Sequence, residues 1–594
     1  MFMDLDLLAE TLAALKRAPF PPGTLHTFAI KANPVGRLLQ ILREAGLGAE
    51  VASLGELRQA LCCGFAPGRV VFDSPIKTRA ELAFALRAGV RLNLDNLEEL
   101  ERVARLVQDD PTLLDPPPPP APPQPAVAAG AVAAAAADHP PTRLIGLRIN
   151  PQVGEGSIAA LSTAGRVSKF GIPLQECRAE LLAAFRRHAW LNALHLHVGS
   201  QGVPLELTVE GVAAVAELAA EVEAEAAAAT AATAAAAGHS PPARQRRVLA
   251  LDIGGGLPVT YGTDDVAWLL GSTAADADPE ATADPGVAAA SGADASGTVS
   301  VFERYARLLQ QRVPAIYPAG GSSNTGAGSC GGAASNSGLL LTPPQLVTEF
   351  GRCLVAKAAF AAGRVEYTKT CGGRRVVVSG LGGDLLLRAV YLPATWPVRV
   401  ELCGRGGAPK LPAATAAPPP PCSSPTPSAT ATPSSTPAAE AGGQDGGGEG
   451  GAGGGCVAAT DVVGPLCFQG DKLAEGAPLP AAAPGDWVVV PDVGAYTLSM
   501  YSRYNSRCSP PVWAYRRVGR AGRGEEEGRA GGAEGRAAGV EAEGGGGGSG
   551  GSGGRRLALP GDWAGQVRRG GAYEFVLLRR GENVEDVMAF WNRM

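Results

Sequence analysis

Lys31 has the clearest chemical potential in this sequence, because it ends the apolar run in TFAIKANP. Burial disfavours the charged form of an amine, so desolvation at the end of an apolar strand is expected to lower the pKa of Lys31. A free amine can attack a carbonyl group. The position of this lysine therefore predicts Schiff-base chemistry with a carbonyl cofactor.

Polar side chains also follow or end the other apolar runs. They are Glu50, Asp73, Asp95, Arg148, Asn150, His197, Ser200 and Glu349. Each has an ordinary explanation alone, because Asp and Asn cap helices and charged side chains are mostly solvated. In a parallel barrel, however, the carboxyl ends of all strands meet at one face. The repeated pattern therefore predicts one site.

Two histidines lie on one strand, in HLHVGSQ. His195 and His197 are two residues apart, so both side chains point to the same face. We interpret His195 as a hydrogen-bonded core residue and His197, nearer the rim, as a side chain that stacks on a ring. No further His or Cys converges on them, so we predict no metal.

The glycine triplet Gly254, Gly255 and Gly256 follows an apolar strand in LDIGGGLP. Such a turn brings backbone N–H groups close to a phosphate. The segment lacks the GxGxxG spacing of dinucleotide folds and the GK[ST] of a P-loop, which disfavours nucleotide binding.

The elements that must position these residues alternate between β-branched apolar runs and amphipathic stretches of helical period. Eight strands are predicted, at 27–30, 49–51, 69–72, 91–94, 144–149, 193–198, 248–252 and 345–348. Eight βα repeats predict an α/β protein with a (β/α)8 TIM-type barrel. A helix at 353–360 and further β runs predict a β-rich C-terminal domain, giving domains 1–352 and 353–594.

Low-complexity segments interrupt both domains. Gly and Pro make up 80 and 49 of the 594 residues, and much of this excess falls into stretches with almost no large apolar side chain. Such stretches cannot bury enough surface to offset their ordering entropy, so we predict disordered inserts. These are 116–140, 223–243, 272–298 and 319–337 in the first domain and 404–455 and 520–554 in the second. The alanines near 221–237 are also compatible with an extended helix.

Charge and composition exclude several classes of function. The net charge of −5 gives no basic field, which argues against nucleic-acid or membrane-surface binding. No apolar run is long enough for a transmembrane helix. The 11 cysteines contain no CxxC pair, which favours reduced thiols and an intracellular location, in the cytoplasm or a plastid. The chain starts almost at its first helix, which predicts an incomplete N-terminus.

Nine motifs occur in the same order as in a known family. They are FAIKANP, GAEVASLGEL, LRINP, SKFGI, HLHVGSQ, LDIGGGLP, EFGR, GPLCFQGD and DVGAYT. The sequence thereby resembles the pyridoxal-phosphate (PLP) decarboxylases of the ornithine, diaminopimelate and arginine group, nearest to the diaminopimelate type. The resemblance implies an alanine-racemase-like barrel with a β-domain, an amino-acid substrate, and a homodimer with shared active sites.

The resemblance also implies roles for particular residues. Lys31 matches the lysine that binds PLP, Glu349 the acid that pairs with the pyridine nitrogen, and His197 the imidazole stacked on the ring. Cys467 matches a cysteine that reaches across from a partner subunit and protonates the product. The cofactor contacts also include Arg148, and the phosphate contacts are Ser200, Gly254, Gly255, Gly256, Arg352 and Tyr496.

Departures from the family pattern concern the substrate. Phe350 replaces the proline of the usual EPGR. Phe468 replaces the acidic residue that follows the cysteine and binds a distal amine, which puts ornithine and diaminopimelate in doubt as substrates. Asp384, Arg388 and Tyr391 are similar to a diaminopimelate-type DLIRPALY segment, with Arg388 one place out of register. We take Arg388, Tyr391 and Phe468 as candidate substrate-binding residues.

Three functions are compatible with these residues. A PLP-dependent amino-acid decarboxylase is favoured, of the diaminopimelate type or, alternatively, the ornithine or arginine type. A catalytically silent homologue similar to antizyme inhibitors would have no need of Lys31 and Cys467. A racemase of the same fold places an arginine near the pyridine nitrogen, where this chain has Glu349.

Overall fold

The computed structural model describes residues 1–115, 143–240, 245–264, 266–271, 299–318, 343–410, 457–518, 557 and 566–592. The predicted inserts 116–140, 272–298, 319–337 and 520–554 lie outside the described residues, as does most of 404–455. Among the described residues, no helix is long and apolar enough to cross a membrane.

Eight parallel strands form a closed barrel, as predicted. In chain order the barrel strands are Leu25–Ala29, Gly48–Val51, Val70–Asp73, Arg91–Leu94, Ile145–Asn150, Ala193–Leu196, Ala250–Asp252 and Gln345–Phe350. The eighth strand pairs with both the seventh and the first, which closes the sheet. Their residues are almost all buried, as expected for strands covered on both faces.

Helices connect the barrel strands. Those described are Leu5–Arg17, Gly36–Glu44, Leu54–Cys62, Arg79–Ala88, Leu97–Asp109, Arg178–Arg187, Leu205–Ala236, Ala267–Leu270 and Val301–Arg312. Several begin at a side chain that accepts a backbone N–H. Ser53 accepts from the amide of Glu56, and Thr78 forms a capping box with Glu81. These caps fix where each helix leaves the carboxyl end of its strand.

The described residues form two compact units. The first consists of Met1–Ala361, Asp384–Arg399 and Pro491–Met594, and the second of Ala362–Gly383 and Val400–Val490. Residues of the predicted C-terminal domain 353–594 occur in both units.

The first unit contains, besides the barrel, part of a second sheet. Its N-terminal strand, Phe2–Asp4, pairs with Ala359 and Phe360 and with the strand Val512–Arg517. The strands Tyr573–Arg579 and Arg568–Gly570 follow in the sheet. Short helices at Arg352–Val355, Leu387–Tyr391 and Val584–Trp591 complete the unit.

The predicted helix at 353–360 is wrong. Only one turn, Arg352–Val355, is helical, and a strand of residues Ala359–Cys371 follows. The amide of Asp4 donates to the carbonyl of Ala358 at 2.8 Å. Pairing with the N-terminal strand therefore overrides the helix propensity of the alanine-rich sequence, as tertiary contacts commonly do.

The second unit is a β-structure. Residues Ala362–Cys371 pair with Arg374–Ser379, which pairs with Ala458–Val463, which in turn pairs with Lys472–Leu479. The strand Glu401–Cys403 pairs with Trp487–Val490.

Two predicted inserts are partly ordered, which corrects their boundaries. The helix Leu205–Ala236 continues through the first part of 223–243, and the buried Glu223 accepts the amides of Arg247 and Val248, each at 2.9 Å. At the start of 404–455, Lys410 contacts Asp486 at 2.6 Å. Alanine supports a helix without any large apolar side chain. Low complexity was therefore not sufficient evidence of disorder in this segment.

Candidate active site

Lys31 lies at the carboxyl end of the first barrel strand, in the short helix Ile30–Ala32. Its Nζ donates to both carboxylate oxygens of Glu50, at 2.7 and 2.8 Å. The two residues lie near each other because Ala29 pairs with Glu50 in the barrel register. The Lys31 side chain is 41% exposed whereas that of Glu50 is buried, so the amine is accessible and its partner is not.

The charge state of Lys31 differs from the sequence expectation. Burial alone lowers its pKa, but the carboxylates of Glu50 and Glu349 outweigh burial and raise the pKa above its ordinary value. The prediction of a lowered pKa is therefore wrong for the protein on its own. The apolar residues before Lys31 indicated that it would be desolvated. The neighbouring carboxylates could not be predicted, because they belong to other strands.

A buried ion pair joins the third and fifth strands. Arg148 Nη1 donates to Asp73 Oδ2 at 2.6 Å, and Arg148 Nε lies 3.9 Å from Asp95 Oδ1. The guanidinium also stacks on the Phe170 ring, 4.5 Å from its centre. Burial raises the pKa of Asp73, but Arg148 and then His195 outweigh it, so the net pKa is lowered. Asp73 is therefore an ionised group inside the barrel.

Glu349 is the second-last residue of the eighth strand and is buried. Burial, then Glu50 and Asp73, raise the pKa of Glu349 well above its ordinary range. Its Oε2 lies 3.5 Å from His195 Nε2, while Oε1 has no hydrogen-bond partner in the described part of the chain. The raised pKa favours the protonated form of Glu349, and its Oε1 is available for a further hydrogen bond.

Asp252 lies in the same interior layer, opposite His195 in the register of the sixth and seventh strands. Its Oδ1 accepts the amide of Gly254 at 3.1 Å. Burial, and then the proximity of Glu349, raise the pKa of Asp252 to about 8. Asp252 is therefore mainly protonated at neutral pH.

The titration of Asp252 predicts a pH dependence of stability. An unfolded aspartate titrates near about 3.9, so between about pH 4 and pH 8 only the folded state holds this proton. The contribution of Asp252 to stability is then lost as pH rises, and becomes constant above about pH 8. Asp252→Asn keeps the shape without the titration.

We expect the free energy of unfolding of Asp252→Asn to rise relative to the natural protein by about 1 kcal/mol per pH unit between about pH 5 and pH 8. Urea unfolding at several pH values measures this difference. A difference that does not vary with pH would contradict the raised pKa.

The glycine triplet packs against the ends of the neighbouring strands. A Cβ at Gly255 would lie 2.1 Å from the carbonyl oxygen of Glu349, and one at Gly256 would lie 2.0 Å from that of Gly199. Gly254 and Gly256 have φ of +65° and +103°, which favour glycine. The amide of Gly255 donates to His197 Nδ1 at 3.1 Å. The amides of Gly254 and Gly255 already donate to groups of the protein. The predicted contact between the triplet and a phosphate therefore stays a prediction.

His197 is held as a neutral ring by its surroundings. Burial and then Arg148 lower its pKa well below the ordinary value. Because Nδ1 accepts from Gly255, the proton of the neutral ring lies on Nε2. The orientation of the imidazole is thereby fixed by the glycine turn.

Two arginines share the same aromatic side chains. The Arg352 and Arg388 guanidinium carbons lie 4.5 and 4.9 Å from the Tyr496 ring centre, and 4.8 and 4.9 Å from that of Trp396. Arg352 Nη1 donates to the Tyr261 hydroxyl at 2.8 Å. Arg352 Nε and Arg388 Nη1 are buried without a hydrogen-bond partner among described residues, beside a cavity of about 50 Å³. Two like charges with unused donors indicate an anion site.

The loop that carries Tyr496 is bonded to the turn that carries Lys31. The amide of Tyr496 donates to the carbonyl of Ala32 at 2.8 Å, and Asn33 Nδ2 donates to the carbonyl of Gly494 at 2.9 Å. Tyr496 has a φ of +57°, unusual for a side chain of this size. These bonds fix the amine and the arginine cluster relative to each other.

Among the described residues of the first unit, Ser200 and Tyr391 are not part of these clusters. The half-buried Ser200 lies in a turn, where its amide donates to the carbonyl of Leu161 at 3.1 Å. Tyr391 shares a helix with Arg388, but its ring is 53% exposed. Cys467 and Phe468 are exposed residues of the second unit. Their roles stay predictions.

Sequence reasoning missed Asp252, Tyr261 and Trp396. Asp252 directly precedes IGGG and could have been found as one more polar strand end. Tyr261 and Trp396 lie outside regular elements, and no pattern marks such aromatic residues.

Profiles of known families match this chain. The pyridoxal-binding domain of pyridoxal-dependent decarboxylases matches residues 8–277, and the C-terminal sheet domain of the same enzymes matches residues 433–494. The two matches together cover more than half of the chain. The chain belongs to the pyridoxal-dependent decarboxylases. The predicted family, enzyme class and cofactor, PLP, are thereby confirmed.

Curated proteins similar to this decarboxylase support the assignment. It is 24% identical over 507 residues to the diaminopimelate decarboxylase of Helicobacter pylori, covering 85% of this chain and 87% of the relative. It is also 24% identical to a probable chloroplastic diaminopimelate decarboxylase of Oryza sativa, over 82% of this chain and 68% of the relative.

Solved structures confirm the fold of this decarboxylase. The Helicobacter pylori diaminopimelate decarboxylase complexed with L-lysine aligns with a TM-score of 0.56 and 19% identity, covering 99% of this chain and 95% of that one. The diaminopimelate decarboxylase from m. jannaschi aligns with a TM-score of 0.57 and 16% identity, covering 99% of this chain and 90% of that one.

Proposed function

We propose that this decarboxylase removes the α-carboxylate of diaminopimelate, with PLP bound by Lys31. The observation that carries the substrate assignment is the pair Arg352 and Arg388, which stack on the same aromatic rings and keep unused buried donors. One guanidinium suffices for the cofactor phosphate, so the second is available for a further anionic group. Diaminopimelate carries a second carboxylate, and the relatives named above are diaminopimelate decarboxylases.

The residues present fit the cofactor. Lys31 offers an accessible amine, and Glu349 offers a buried carboxyl oxygen without a partner. When bound, PLP withdraws electrons from the α-carbon of an amino acid and weakens its bond to the carboxylate. Glu349 would accept a hydrogen bond from the pyridine nitrogen and keep that nitrogen protonated.

The neighbouring residues orient the cofactor. His197 would stack on its ring, held in position by the amide of Gly255. Arg352, Ser200, Tyr496 and the glycine turn would bind its phosphate. Arg148 keeps Asp73 ionised, so the barrel interior contains a positive guanidinium beside a negative carboxylate.

Cys467 would supply the proton that replaces CO₂ on the α-carbon. We propose that it does so in a homodimer, in which Cys467 of each chain completes the active site of its partner. Its exposure in this chain supports that role, because a thiol that serves another subunit must be accessible.

The proposal predicts a dependence on Arg388 that differs between substrates. We expect Arg388→Met to lower kcat/KM for diaminopimelate by about 10²-fold or more, because a bound carboxylate would lose its charged partner. An amino acid without a second carboxylate loses no such contact. CO₂ release from diaminopimelate, ornithine, lysine and arginine is the measurement. Arg307→Met, which changes an exposed helical arginine, is the matched control.

Phe468 distinguishes diaminopimelate from the alternative, ornithine. If Phe468 lies in the distal pocket, an ammonium without a second carboxylate is poorly bound, and Phe468→Glu should improve ornithine turnover. Efficient ornithine decarboxylation by the natural protein, with no loss in Arg388→Met, would refute the diaminopimelate proposal.

A further inference from the structure

His195 is a buried histidine to which the proposed function gives no task. It is 0% exposed and lies between two carboxyl groups of other strands. Nδ1 lies 3.5 Å from Asp73 Oδ1, and Nε2 lies 3.5 Å from Glu349 Oε2. Neither ring nitrogen has a hydrogen bond of normal length within the described ranges. The expectation that His195 is a core residue is confirmed, whereas the expectation that it is hydrogen-bonded is wrong among the described residues.

The distances and charges define what the ring can do. A movement of about 0.5 Å would bring either contact to hydrogen-bond length. Asp73 is ionised beside Arg148, whereas the pKa of Glu349 is raised by burial and by Glu50. Burial lowers the pKa of His195, although Asp73, Asp252 and Glu50 oppose it, and Arg148 acts in the same direction as burial. Asp73 and Glu349 thus face opposite nitrogens of the His195 ring, and the raised pKa of Glu349 favours its protonated form in the protein alone.

We propose that His195 is a positioning residue for Glu349, which it links to the ion pair of Asp73 and Arg148. The inference rests on the proposed function, because it takes Glu349 as the partner of the pyridine nitrogen. His195 engages Oε2 and leaves Oε1 for that nitrogen.

The proton balance is simple. With PLP bound, Oε1 would accept a hydrogen bond from the pyridine nitrogen, and a proton held at Oε2 would pass to His195 Nε2, so that the O–H bond breaks as the N–H bond forms. Glu349 becomes an anion and His195 a cation, and no proton enters or leaves. Charges of alternating sign would then follow one another, from the pyridinium through Glu349, His195 and Asp73 to Arg148. This alternation favours the protonated pyridine nitrogen.

The test follows the pyridine nitrogen rather than turnover. The protein is loaded with ¹⁵N-labelled PLP, and the nitrogen chemical shift is titrated with pH in the natural protein and in His195→Asn. The asparagine side chain places a polar group near the position of the histidine Nδ1 but none near that of Nε2. We expect the pH at which the nitrogen loses its proton to fall by about one unit or more in this variant. His195→Gln, whose amide reaches the Nε2 position, should restore most of the natural value. His195→Phe keeps a ring but removes both nitrogens, so it should show the same fall and serves if His195→Asn does not fold.

Two controls separate this role from a structural one. His26 is a half-buried barrel histidine that bonds Thr348 at 2.9 Å, so His26→Asn should not move the nitrogen titration. In a Glu349→Gln background, His195→Asn should have no further effect, because its action passes through Glu349. An unchanged titration in His195→Asn and His195→Phe, an equal shift in His26→Asn, or additive effects with Glu349→Gln would overturn the inference. Absence of lysine-bound PLP in the natural protein would instead refute the proposed function, and the inference with it.

Discussion

Lys31→Arg is expected to abolish the visible absorbance of lysine-bound PLP and to lower kcat by at least about 10³-fold. A guanidinium stays protonated and cannot form the Schiff base that binds PLP, so the variant lacks the group on which cofactor binding depends. Arginine keeps a positive charge opposite the buried Glu50, so the ion pair that stabilises this part of the barrel is conserved. Absorbance and single-turnover CO₂ release measure the two losses.

Lys31→Ala supplies the complementary variant. It removes the charge as well as the amine and leaves Glu50 buried without its cation, so we expect a lower melting temperature in addition to the loss of cofactor. If both variants bind PLP covalently and turn over at the natural rate, Lys31 is not the cofactor lysine.

Glu349→Gln is expected to keep PLP bound through Lys31 and to lower kcat by about 10²–10³-fold. A neutral amide cannot become an anion, so the pyridine nitrogen loses the charge that keeps it protonated, and electron withdrawal from the α-carbon weakens. The affinity for PLP, by contrast, depends mainly on Lys31 and the phosphate contacts. Titration of the unloaded protein with PLP separates binding from turnover.

Asp252→Asn is the matched control for Glu349→Gln. Asp252 is buried in the same interior layer and is already mainly protonated at neutral pH, so an amide resembles its natural state. We expect kcat within about threefold of the natural value at pH 7, since no charge changes. Equal losses in the two variants would mean that Glu349 acts only through the packing of the barrel interior.

The sequence predicted the barrel well because each strand carries its own local signal. Apolar runs such as Arg91–Leu94 are bounded by turns and helix caps, and the structure reproduces these limits. The polar residues at the strand ends come together for the same reason, since parallel strands in a closed barrel bring Lys31, Glu50 and Glu349 to one face. Local pattern and barrel geometry were sufficient for this part of the site.

Features that depend on contacts between distant segments were not predictable. The strand Phe2–Asp4 has only three residues, too few for a pattern, and exists because two other strands flank it. The raised pKa of Lys31 depends on carboxylates contributed by other strands. Trp396 became relevant only when the fold placed it beside Arg352 and Arg388.

The bonds between the Lys31 turn and the Tyr496 loop bear on how the enzyme matures. Asn33 and Gly494 are 461 positions apart, so this contact forms only after the segment around Gly494 has left the ribosome. Contacts of such sequence separation form late, because closure of a long loop costs chain entropy before the contact stabilises it. During synthesis the barrel strands can assemble first, with the amine of Lys31 beside Glu50 but without its tyrosine loop. Cofactor capture would then follow synthesis of the Tyr496 loop, so that PLP joins a chain that holds both segments rather than a nascent barrel.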